Sequence, residues 1–170
     1  MQPDEIRKKK VKTPEQALAA LMRLCARAEK SQEDARRLMR GWGLAEREGE
    51  QVLARLVRDR FIDDGRYAEA FVRDKLRLSG WGEYKIRTAL QRKRIDRELI
   101  DAALAQADRQ DMAGRLRQQL ERKMRTTRHT TQYELKTKLI RYGLSLGYDY
   151  ETVVEAASGL VTDTETCDEF

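Results

Sequence analysis

The chain is poor in residues that interrupt a helix. Of its 170 residues only Pro3 and Pro14 are proline, so beyond Pro14 no ring blocks the helical hydrogen-bond ladder. No run alternates β-branched and polar residues over a strand's length. Cysteine is scarce too. Cys25 falls on an apolar face with Leu18, Leu21 and Met22 and reads as a core thiol, while Cys167 lies in an acidic segment. Two cysteines at no metal or redox spacing suit a reducing cytoplasm. The single histidine, His129, sits in the polar stretch RTTRHTTQ with no second ligand near it. No apolar run approaches the ~18 residues of a membrane span, and no signal-peptide core is visible. Phosphate-loop, HExxH and nucleophile–base patterns are all missing. The expectation is a soluble, cytoplasmic, monomeric protein with no catalytic, cofactor or metal site.

Helix formers and charge are what the chain has in abundance. Charged residues make up 38%, and the formal net charge of +6 is unevenly placed. Residues 1–13 hold Arg7, Lys8, Lys9, Lys10 and Lys12 against Asp4 and Glu5. Residues 160–170 hold Asp163, Glu165, Asp168 and Glu169 and no base. The body between is therefore more basic than the average, which favours a polyanionic partner.

One element recurs. EDARRLMRGWGL (33–44), YKIRTALQRKRI (84–95) and YELKTKLIRYGL (133–144) align as middle helices of three similar units. Ala35, Ile86 and Leu135 correspond, as do Met39, Leu90 and Leu139, then Leu44, Ile95 and Leu144. An i, i+4 apolar pair with basic residues around it is one face of a helix. A third helix follows each: about 45–59 with Val52 and Leu56, 96–107 with Ile100 and Leu104, and 149–158 with Val153 and Ala157. Asp96 and Asp149 are N-cap residues by type. Opening helices are predicted at 14–29, 63–79 and 109–125. The last unit gains about one helical turn: either its middle helix is longer, or Gly147-Tyr148 answers Arg94-Ile95. The fold class is all-α, three tandem three-helix, helix-turn-helix-like repeats in an elongated, curved array. The predicted divisions are 1–13 (flexible basic arm), 14–60, 61–107, 108–159 (the three units) and 160–170 (disordered acidic tail).

Two aspartates stand together in FIDDGRYAEAF, residues 61–71. With Asp63 as N-cap, Ile62 is N′ and Tyr67 is N4, the spacing of a hydrophobic staple. Asp64 adds a charge favourable to the helix dipole. Capping, not metal binding, is the reading. GWG occurs at 41–43 and 80–82 but out of register; each Trp reads as an indole over a helix end, with base stacking as the alternative.

FIDDGRYAEAFV, GWGEYKIRTALQRKRI and DRELIDAAL together resemble the RecX family, regulators of bacterial recombination. The signature positions are Phe61, Ile62, Asp63, Asp64, Arg66, Tyr67 and Ala68, then Gly82, Lys85, Ile86, Arg87 and Leu90. The likeness runs over 14–158 and is most specific in the middle unit. Ala35 stands where the family often has leucine, Ala89 where it has glutamate, and Arg94 where many members have a glycine suited to a left-handed cap. The resemblance implies tandem three-helix units that bind the RecA recombinase, chiefly as its filament on single-stranded DNA. There they would lie in the filament groove, suppress ATP hydrolysis and strand exchange, and use no cofactor. Candidate partner- or DNA-binding residues project from the middle helices: Arg36, Arg37 and Arg40; Lys85, Arg87, Arg92, Lys93 and Arg94; Lys136, Lys138 and Arg141. The alternative is a stand-alone nucleic-acid binder that reads duplex DNA through a helix-turn-helix.

Overall fold

The computed structural model describes residues 11–161. Among them are nine α-helices and no strand: α1 Pro14–Cys25, α2 Gln32–Gly41, α3 Glu46–Arg58, α4 Asp64–Asp74, α5 Glu83–Arg92, α6 Arg97–Ala105, α7 Arg109–Thr126, α8 Gln132–Ser145 and α9 Tyr150–Leu160. The all-α, three-by-three order matches the repeat pattern. Residues 1–10 and 162–170, which hold most of the basic arm and the acidic segment, lie outside the described residues.

Local chemistry starts most helices. Thr13 and Gln16 form a reciprocal capping box ahead of α1, with Pro14 at the first helical position. Ser31 and Asp34 do the same for α2. Asp63 accepts from Arg66 N at 3.0 Å and so caps α4, as expected. Asp108, Thr131 and Asp149 cap α7, α8 and α9. Asp96 stands at the N-cap position of α6, yet its side chain makes no capping bond.

Two opening helices differ from the pattern. The first ends at Cys25 rather than near 29. Glu29 is drawn instead into a 2.6 Å pair with Arg66, a partner 37 residues away. The predicted 63–79 helix keeps α geometry only to Asp74, then widens into a π turn over Lys75–Ser79. Gly80 at φ 61° ends it, and Trp81 N closes back on Lys75 O at 3.0 Å.

The chain divides into two compact units that cut across the three-helix repeats. One runs to Ala68 and includes Lys93–Ile95; the other is Glu69–Arg92 and the chain from Asp96 onward. In the first, α1 and α2 pack on α3 around Leu21, Ala35, Met39, Leu53, Leu56 and Ile62. Lys12 N donates to Trp42 O at 3.1 Å, so the end of the predicted arm is already held. Cys25 is half-buried against this core, and burial raises its thiol pKa. In the second, α7, α8 and α9 pack pairwise around Leu116, Leu120, Leu135, Leu139, Tyr148 and Val153. Val161 joins that core, so the ordered unit extends past the predicted boundary at 159.

The register of the last unit is settled by the backbone. Gly43, Arg94 and Gly147 all have positive φ, at 80°, 56° and 92°. Each is followed by a buried apolar residue, Leu44, Ile95 and Tyr148. Leu144 is 40% exposed, so its alignment with Leu44 and Ile95 is corrected to Tyr148. The helix α8 has 14 residues against 10 in α2 and α5, so both sequence alternatives describe the same added turn. Counting from the left-handed residue, Gly143 then takes the place of Met39. Steric size is exchanged across the pair: Met39 lies over Gly49 in the first repeat, whereas Val153 lies over Gly143 in the last. A large residue facing a small one preserves volume at the crossing.

Candidate interaction surface

The signature residues are a structural knot. Asp64 Oδ1 accepts from Gln32 N at 2.9 Å, so its carboxylate sits at the first turn of α2 as well as in the first turn of α4. Helix N-termini favour negative charge, and this one gains it from another helix. Arg66 donates to Glu29 and also to Arg60 O and Phe61 O, both at 3.3 Å, satisfying carbonyls beyond the end of α3. The hydrogen bond it donates to Glu29 is the main reason its guanidinium pKa is raised. Ile62 and Tyr67 are both buried. Phe61 is partly buried against the first core.

Lys93 completes this knot. Its ammonium donates to Asp34 Oδ1 at 2.6 Å and lies 5.6 Å from the centre of the Tyr67 ring. Burial pushes the Asp34 carboxyl up, but hydrogen bonds from Lys93 and Ser31 outweigh it and hold the group below its ordinary value. Burial likewise works against the Lys93 charge, and the bond to Asp34 with the nearby tyrosine raises it instead.

Gly82 and Gly147 bring two backbones into contact within the second unit. Gly82 N donates to Leu146 O at 2.7 Å, and Tyr84 N to Gly147 O at 2.9 Å. A Cβ at Gly82 would stand 2.4 Å from Gly147 C, and one at Gly147 2.4 Å from Lys85 Cβ. Only glycine fits at either place. Ile86 and Leu90 are wholly buried beyond this contact.

The candidate basic residues fall into two groups. Several are held by partners within the fold. Arg36 pairs with Glu50 at 2.8 Å and Arg87 with Asp101 at 2.6 Å. Lys138 pairs with Glu134 and donates to Arg128 O, while Glu134 is held at about 2 by that lysine and by Thr130. Lys85 donates to Ser145 O and lies 4.7 Å from the centre of the Trp81 ring. Arg40 reaches Glu33 at 3.0 Å and Arg37 reaches Asp34 at 3.6 Å, yet both remain largely exposed. Lys136 is half-buried and also engaged. Arg92, Arg94 and Arg141 are exposed and have no acidic partner among the described residues.

Sequence reasoning missed the long-range partners Glu29, Glu50 and Asp101, which carry no local signal. The indole of Trp81 covers a helix end, as the sequence reading has it. The ring meets Phe71 edge-on at 6.4 Å, with the ammoniums of Lys75 and Lys85 at 4.6 and 4.7 Å. Two lysines occupying the indole leave base stacking there unsupported.

Comparison with known proteins agrees with this geometry. Residues 63–104 match the family model described as RecX, second three-helix domain, and residues 110–156 match RecX, third three-helix domain. A "Regulatory protein RecX" of Streptomyces coelicolor is 28% identical over 155 residues, covering 89% of this chain and 82% of that protein. One from Clostridium beijerinckii is 37% identical over 94 residues, covering 54% of this chain but 43% of its own length. The match thus spans less than half of the clostridial relative. The crystal structure of RecX from Lactobacillus salivarius superposes with a TM-score of 0.74 at 18% identity, covering 86% of this chain and 96% of that one, which shows a shared fold.

Proposed function

The chain belongs to the RecX family, and from that premise we propose that it regulates a RecA-type recombinase without catalysing a reaction itself. It binds the recombinase filament on single-stranded DNA and lowers its ATP hydrolysis and strand exchange. The observation that carries this reading is the recurrence of exposed cations. Arg37 and Arg40, then Arg92 and Arg94, then Arg141 keep exposed cations on or just past successive middle helices, the first two while also reaching Asp34 and Glu33. Repeated weak contacts of this kind suit a repeating filament, because linked sites add by effective concentration. Contacts made by exposed cations weaken with salt.

The test is DNA-dependent ATP hydrolysis by RecA on single-stranded DNA, with and without this protein, across a salt series. Hydrolysis falling at substoichiometric protein, less so at high salt, is the expected result. Demonstrated filament binding with unchanged hydrolysis and strand exchange would defeat the proposal.

A further inference from the structure

An open cleft of about 860 Å³ in the second compact unit is lined by none of the candidate basic residues. One wall is the π turn. The other is a face of α7 carrying Arg115, Gln118, Gln119, Arg122, Lys123 and Thr126. Their spacings of three, four, seven, eight and eleven residues put them in one stripe, roughly 16 Å long at the helical rise. The π turn is fixed against this stripe. Arg115 Nη1 donates to Leu76 O and Arg77 O at 3.2 and 3.3 Å, and Gln119 Nε2 to Gly80 O at 3.3 Å.

The cleft's charge is one-sided. Asp111 is its one acid, and Arg115 Nε already holds it at 2.9 Å. Arg77, Arg122 and Lys123 are exposed and have no acidic partner among the described residues. Arg122 donates to Gln118 O, and Lys123 lies over the Tyr142 ring at 5.2 Å. Leu78, on the π turn, is 84% exposed and adds an apolar contact beside the cations. Unpaired cations, glutamine amides and an exposed apolar side chain match phosphates, base edges and base faces respectively.

We propose that this cleft binds the phosphodiester backbone of a single-stranded nucleic acid directly. A concave, cation-lined site admits a flexible strand, whereas a stiff duplex would bridge its rim. No recombinase is needed for such binding, so a negative result here leaves the filament reading standing, and the reverse holds as well.

The experiment titrates the full chain against a fluorescent oligothymidylate by anisotropy at several salt concentrations. Replacing Arg77, Arg122 and Lys123 together by glutamine should lower affinity at least about tenfold at low salt and flatten the slope of log K against log salt by about 2, at ~0.7 per lost phosphate contact. Arg125→Gln, on the same helix but outside the cleft, should change the affinity far less. If circular dichroism finds the triple variant unfolded, Arg122→Gln and Lys123→Gln singly should each flatten the slope by roughly 0.7. Equal losses in the Arg125 variant, or unchanged binding in the cleft variants, would overturn the assignment. So would tighter binding of polyglutamate than of oligothymidylate that the triple variant abolishes, since the cleft would then serve acidic peptide.

Discussion

Asp64 lies in the first turn of α4, yet its Oδ1 accepts from Gln32 N of α2 at 2.9 Å. Its neighbour Asp63 caps α4 itself. The adjacent carboxylates thus begin two helices that are 32 residues apart in sequence.

Asp63→Ala should cost about 1 kcal/mol through the lost cap. Asp64→Ala should cost a similar amount, about 1 kcal/mol, from the start of α2, while Asp64→Asn keeps an acceptor and recovers much of it. Denaturant titration measures each. Under the proposed function, inhibition of the recombinase should survive in either aspartate variant that remains folded.

The Lys93–Asp34 pair makes a pH prediction. Asp34 is depressed in the fold, so its contribution is present above the ordinary aspartate pKa and is lost as pH falls through the lower, folded value. Lys93 is raised, so its contribution is present below the ordinary lysine pKa and is lost as pH rises through the folded value. Lys93→Met strands a largely buried carboxylate and should cost about 1–3 kcal/mol at neutral pH. Its deficit relative to the unmodified chain should shrink in acid, measured by denaturation at a series of pH values.

Arg94 is a left-handed residue other than glycine, at φ 56°. Arg94→Gly should raise stability by about 1 kcal/mol by relieving that conformation. It should also weaken filament binding by removing an exposed cation. Reversing Arg92 and Arg94 to Glu should weaken binding with the melting point nearly unchanged. Adding Lys93→Glu should lower the melting point, because it faces Asp34 with a second carboxylate. Unaltered inhibition by the double reversal would remove this patch from the interface.

Gly82→Ala sets a methyl group against the Gly147 backbone at 2.4 Å. The overlap is with main chain and has no rotamer that relieves it, so a loss of about 3 kcal/mol or more is expected. Thermal unfolding followed by circular dichroism checks it.

Much of this protein was legible in one dimension. Helix periodicity, cap residues and the recurrence of Ala35, Ile86 and Leu135 depend on neighbours within a few positions, and these are the interactions that a sequence pattern records. They specified nine helices in order, the role of Asp63 and the family likeness. Contacts between distant segments required the tertiary structure. It showed that Lys93 belongs to a part-buried pair, that Arg36 and Arg87 have distant acids, and that Arg94 takes a left-handed conformation. It also aligned Tyr148 rather than Leu144 with Leu44 and Ile95. A charged side chain has the same letter whether it faces water or a carboxylate 59 residues away. Which cations remain free for a partner is decided by what the folded chain places beside them.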